Sequence, residues 1–194
     1  IAAIYAVLGG MISIVWTDVL QFTVMLMGWM GAWAVVGPVV ANAALGGAAT
    51  WGWVAAANGL GLIAGGAIAL RTHIARPMRV ATLCCFPGAL IPLLLIAPAP
   101  VPAILAASFL SGIGFEVFSV LWNTALHTRI APGALSRVSS YDVLGSIAMV
   151  PVGEALAGWG VERLGVEPTL LWCCAAIVVP TAAVLGVRDV RELR

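Results

Sequence analysis

Apolar runs of about 20 residues recur along this chain, the length an α-helix needs to cross the hydrocarbon of a bilayer. The charged residues stand mostly in the short segments between those runs. Only helices and closed barrels satisfy their backbone inside a bilayer, and barrel strands would alternate in character instead of running unbroken. With 62% of residues hydrophobic and 9% charged, a water-soluble domain of this length could not cover its apolar surface. The chain therefore reads as an all-α membrane protein embedded in a lipid bilayer. Its 22 Gly and 11 Pro, scattered through the runs and not gathered into linkers, fit packed transmembrane helices, where both are tolerated.

Charge and turn residues divide the sequence into six spans, close to Val19–Ala43, Trp51–Leu70, Met78–Ala97, Ala103–Leu126, Ser139–Trp159 and Pro168–Val187. Asp18 and Gln21 have capping-box spacing at the first of these, and Ser139-Ser140-Tyr141-Asp142 has it at the fifth. Asp142 is expected to cap that helix, favoured by the helix dipole and paired with Arg137. Pro98-Ala99-Pro100-Val101-Pro102 predicts a tight turn between the third and fourth spans.

Lysine is absent, and eight of the nine arginines fall on one side if the spans alternate. Arg71, Arg76 and Arg79 lie between the second and third spans, Arg129 and Arg137 between the fourth and fifth, and Arg188, Arg191 and Arg194 after the sixth. Arg163, offset by Glu162 and Glu167, is the exception. Short Arg-rich loops stay cytoplasmic, so a multi-pass protein of the cell's inner (plasma) membrane with a cytoplasmic C-terminus is expected. A net charge of +1 argues against nucleic acid as a partner. No basic segment precedes the opening apolar stretch, so the start does not read as a signal peptide, and the chain looks cut from something longer.

Acids inside a span cost about 2.5–3.5 kcal/mol by insertion scales and persist where something pairs or uses them. Glu116, in the fourth span among Gly112, Gly114 and Ser119, is the first candidate for proton coupling or substrate contact. Glu154, after Pro151 and Gly153, is the second. Asn58 and Asn123 are amides at membrane depth that serve either as glue between helices or in a substrate path. Gly61-x-x-x-Gly65 gives the second span a flat face for a neighbour. Trp51, Trp53, Trp159 and Trp172 read as an aromatic belt near span ends. The adjacent pairs Cys84-Cys85 and Cys173-Cys174 suit neither metal ligation nor a disulfide framework and read as small hydrophobes. His73 and His127 are placed in or beside loops as solvated bystanders. No nucleophile, base and acid converge at one depth, so the chain does not read as an enzyme, and neither a cofactor nor a metal is expected.

Three stretches carry a resemblance. The longest is Leu121-Trp122-Asn123-Thr124-Ala125-Leu126 with Ile130-Ala131-Pro132-Gly133-Ala134-Leu135-Ser136-Arg137-Val138-Ser139-Ser140-Tyr141-Asp142 and Leu144-Gly145-Ser146. The others are Gly37-Pro38-Val39-Val40 with Leu45-Gly46-Gly47-Ala48-Ala49, and Gly59 through Gly66 leading to Arg71, Arg76-Pro77 and Arg79. From Gly37 onward the chain resembles the C-terminal six-helix half of a major facilitator superfamily transporter, in the branch that includes enterobactin and macrolide exporters. The resemblance implies half of that superfamily's fold, with Arg71, Arg76, Arg79, Arg137 and Asp142 as structural cytoplasmic motifs. Tyr5-Ala6-Val7-Leu8-Gly9-Gly10 and Trp16-Thr17-Asp18-Val19-Leu20-Gln21 instead resemble a segment of sodium/solute symporters.

The chain is accordingly divided into residues 1–36, a first transmembrane segment with a symporter-like start, and residues 37–194, a half-transporter bundle. The function implied is transport of a small solute as the C-terminal half of a proton-driven efflux carrier. Its expected partners are a small-molecule substrate and either an N-terminal six-helix half or a second copy. A non-transporting membrane scaffold, a fusion remnant and a symporter fragment are the alternatives. If the opening segment is a graft, bulky Met27, Trp29 and Trp33 predict poorer packing along Val19–Met30 than along Gly37–Ala44.

Overall fold

The short turns show how little chain separates one apolar helix from the next. Gly46 and Gly47 lie at φ 90° and 99°, and Gly165 at 95°, backbone angles open to glycine and strained for other residues. In the computed structural model, which describes residues 24–186 apart from 73 and 131, such turns link six helices long and apolar enough to cross a membrane. These are α1 (Val24–Ala44), α2 (Ala48–Arg71), α3 (Pro77–Ile96), α4 (Val101–Arg129), α5 (Pro132–Arg163) and α6 (Val166–Gly186). No strand occurs among the described residues. The protein is an all-α, multi-pass, six-helix bundle. The proposed cap at Asp18, along with His73, Arg188, Arg191 and Arg194, lies outside the described residues.

Two helices depart from regular geometry. Within α1 a π-helical stretch covers Gly31–Val36, and the helix runs through Val36 to Gly37 without a break. Along α3, regular helix ends at Leu83, and a 3₁₀ turn over Phe86–Ala89 precedes a second piece from Leu90. Pro87 has no N–H to continue the ladder, so Cys85 and Gly88 donate to the carbonyls of Thr82 and Cys85 at 3.2 and 3.1 Å. The break is accommodated by Gly114 of α4, where a Cβ would come within 2.1 Å of the Cys84 carbonyl oxygen.

The start of α5 corrects the expected boundary. It begins at Pro132, not Ser139, so Arg137 and Asp142 stand inside a helix of 32 residues, about 48 Å long at about 1.5 Å per residue. Asp142 is therefore no cap, and it does not pair with Arg137. Its Oδ2 accepts from Trp122 Nε1 at 3.3 Å, while Arg137 Nη2 donates to the Gly133 carbonyl at 3.4 Å. The polar run stays helical because its side chains are satisfied there: Ser140 Oγ donates to the Ser136 carbonyl at 2.8 Å.

Small residues set the helix pairs. A Cβ on Gly61 would lie 2.1 Å from the Phe109 carbonyl oxygen, one on Gly65 2.6 Å from that of Ile113, and one on Gly112 2.3 Å from that of Asn58. The flat face of α2 is thus taken by α4. The second glycine contact joins α1 to α5: a Cβ on Gly153 would lie 2.5 Å from Met27 Cα, and one on Gly31 2.8 Å from Ala157 Cβ. Residue numbers rise together across both contacts, so each pair is parallel. Between α3 and α6, Ile91 and Leu95 share a core with Leu170 and Cys173, and Cys85 and Ala89 share one with Ile177. Exchanging the first three helices with the last three maps α1–α5 onto α4–α2 and α3–α6 onto itself.

The first helix packs better than its bulky residues suggest. Residues 19–23 of the stretch expected to pack poorly lie outside the described residues; of the rest, none of Val24–Met30 is exposed, whereas Val39, Asn42, Ala43 and Ala44 are. Gly28 fits where a Cβ would approach Ala176 Cβ to 2.7 Å and the Cys173 carbonyl to 2.8 Å. Glycines thus make the close contacts, and the tryptophans turn into an aromatic stack. Trp29 lies 5.6 Å from Trp33 and 5.5 Å from Phe115, both nearly parallel, and Trp33 lies 5.1 Å from Trp51. Trp51 consequently belongs to the interior, while Trp53, Trp159 and Trp172 remain exposed as a belt would require. Cys85 and Cys173 are buried among apolar residues, and all four cysteines are free.

Candidate functional site on the fourth helix

Polar residues recur along one stripe of α4 at helical spacing: Glu116, Ser119, Asn123, Thr124, His127 and Thr128 line an open groove on the bundle's flank. Three of these six side chains turn back on their own helix. Asn123 Nδ2 donates to the Ser119 carbonyl at 2.8 Å, Thr124 Oγ1 to that of Val120 at 2.7 Å, and Thr128 Oγ1 to that of Thr124 at 2.8 Å. Among the described residues, the stripe makes no hydrogen bond to another helix. His127, expected beside a loop, sits instead within α4, on the same stripe as Glu116.

Glu116 is half-buried and rests across the glycine face of α2. A Cβ on Gly66 would lie 3.7 Å from its Cγ and 3.9 Å from Oε1. Among the described residues it has neither an ion-pair nor a hydrogen-bond partner. Glu154 is also half-buried but stands on α5, about three turns beyond Asp142, and lines neither groove beside α4. The two glutamates are not brought together.

Asn58 has a structural task. Its Nδ2 donates to the Ser108 carbonyl at 3.1 Å, while Ser108 Oγ donates to the Val54 carbonyl at 2.7 Å, a reciprocal clamp buried between α2 and α4. Such bonds contribute about 0.6–1.7 kcal/mol in a membrane. Asn58→Leu is expected to lower stability by about 1 kcal/mol. A thermal melt in nanodiscs checks this, with any solute flux per folded molecule unchanged.

Arg71 ends α2, Arg76 precedes the first turn of α3 and Arg79 stands within it; all three are exposed, at the bundle end where α5 begins and Arg137 stands in its second turn. A second groove opens between α4 and α5. Phe115, Phe118 and Trp122 form one wall, and Val143, Ser146 and Ile147 the other, with Asp142 between them. The Trp122–Asp142 bond escaped sequence reasoning. Deeper in the bundle, Met25, Trp29, Cys85, Gly88, Phe115 and Phe118 surround a small apolar cavity, and the buried Ser111 hydroxyl on its wall has no partner among the described residues. Comparison with protein-family models, curated proteins and solved structures finds no match to this chain.

Proposed function

We propose that this chain is one half of a proton-driven secondary carrier for a small solute, paired with a second six-helix unit. The observation that carries the reading is the polar stripe of α4: an acid, an amide and an imidazole on one face, none bonded to another helix among the described residues. Acids within membrane helices usually face a bundle interior or a water-filled cavity. Here that cavity requires a second wall. The least buried spans are α2 and α5, 22% and 18% buried against 39–50% for the others, which leaves surface for a second unit. The paired exchange of α1–α3 with α4–α6 matches the inverted three-helix repeats nested in each half of major facilitator carriers. The resemblance of Leu121–Ser146 to that superfamily's exporters points the same way. By this reading the glycine-rich and arginine-rich segments at Arg71–Arg79 and Arg137 are cytoplasmic motifs, and the protein resides in the plasma membrane.

Two experiments test it. For orientation, single cysteines at Thr72 or Gly133 are expected to react with an impermeant maleimide from the cytoplasmic side alone, and labelling from outside would reverse the topology. For transport, the protein with its pairing unit is reconstituted into proteoliposomes under an imposed pH gradient. Uphill solute movement that collapses with a protonophore is expected. Its absence across a broad solute panel favours the membrane-scaffold reading.

A further inference from the structure

We propose that the groove between α4 and α5 binds a lipophilic organic cation that carries aromatic rings. This deepens the carrier reading by naming a substrate class, and it rests on that reading for the transport step alone. One wall of the groove is a ladder of rings on α4. Phe115, Phe118 and Trp122 follow at helical spacing, and Phe118 and Trp122 stack 6.2 Å apart and 8° from parallel. The opposite wall presents Val143 and Ile147 of α5, 52% and 64% exposed, with no described helix covering them. Ring faces attract cations through their quadrupole.

Charge selects the sign of the ligand. Asp142 is half-buried and is the one charged residue in the lining, which contains no Arg or His. The nearest basic side chain on its helix, Arg137, is turned to the Gly133 carbonyl, and Glu116 and His127 belong to the neighbouring stripe of α4. Among the described residues, no cation from the bundle is paired with this carboxylate.

Hydrogen bonding argues against a sugar or polyol. Trp122 Nε1 is engaged by Asp142, Ser146 Oγ donates to the Asp142 carbonyl at 2.9 Å, and Asn123 Nδ2 donates to Ser119. Beside the Ser119 hydroxyl and the Asn123 amide oxygen, what the groove offers is therefore ring faces, aliphatic side chains and one carboxylate. Trp122 fixes that carboxylate against the aromatic wall, where the ligand's charge would sit.

The test is equilibrium dialysis of tetraphenylphosphonium against the purified full chain in neutral-lipid nanodiscs, with empty discs subtracted. Saturable binding is expected, with none for tetraphenylborate, which has the same shape and the opposite charge. Asp142→Asn is expected to weaken binding about tenfold or more, because a desolvated charge contact is lost, while Asp142→Glu stays within about threefold. Equal saturable binding of both ions, or unchanged affinity in Asp142→Asn, would overturn the proposal. The two-ion comparison uses the unmodified protein and decides the matter even if the Asn variant does not fold. The carrier and the site fail separately. Saturable, Asp142-dependent binding without gradient-driven flux keeps the site and removes the carrier. Flux of other solutes without tetraphenylphosphonium binding keeps the carrier and removes the site.

Discussion

Glu116→Gln is expected to abolish uphill, proton-driven efflux while leaving insertion and downhill exchange of solute largely intact. The amide keeps the size and hydrogen-bonding capacity of the side chain and removes the proton it would load and release. The geometry gives this prediction its sign. Glu116 lies against the glycine face of α2 with no described partner, so the change strands no buried cation. A purely structural acid would behave in the opposite way, with a fall in folded yield and no change in coupling per folded molecule. Efflux normalised to inserted protein separates the two. Full uphill efflux from the Gln variant would take Glu116 out of the mechanism.

The largest effect on folding is expected at the α2–α4 crossing. At Gly61 a Cβ alone would meet the Phe109 carbonyl oxygen at 2.1 Å, a contact with backbone that no rotamer relieves. Gly61→Leu must push the helices apart, breaking the Asn58–Ser108 clamp alongside, and is expected to cost about 3 kcal/mol or more. Recovery of monodisperse protein in detergent should fall accordingly. Gly52, also in α2, faces open space, and a Cβ there would meet nothing within 4 Å. Gly52→Ala is therefore expected to be neutral or to stabilise by about 0.5–1 kcal/mol through helix propensity. Equal losses at the two positions would show that the crossing is not what holds α2.

The contrast between those glycines marks what was legible in the sequence. Hydropathy and the arginine loops were enough for the number of helices, because insertion depends on length and apolarity. Gly61-x-x-x-Gly65 announced a packing face but not its partner, since Gly112 and Phe109 are distant in sequence. The α1–α5 contact was masked by large neighbours. Met27, Trp29 and Trp33 point toward poor packing, while Gly31 and Gly153 make it close. Serines and an aspartate near Ser139 imitate a helix start because capping residues can equally bond backward inside a helix, as Ser140 and Ser146 do. On the candidate site, Glu116 stood out, with Glu154, as an acid inside a span. Its stripe with Asn123 and His127 has helical spacing and was readable in principle. The Trp122–Asp142 bond depends on how α5 sits against α4, which no local pattern specifies.

A carrier of this kind requires the α4 stripe to face a water-filled path opened alternately to the two sides of the membrane. A single cysteine at Asn123, in a background lacking the four native cysteines, measures this directly in the protein joined to its pairing unit. The expected result is that an impermeant thiol reagent modifies this position from either side, with a pH gradient or bound solute shifting the balance between them. Modification from one side only, under every gradient and solute, or no modification at all, would contradict the carrier reading.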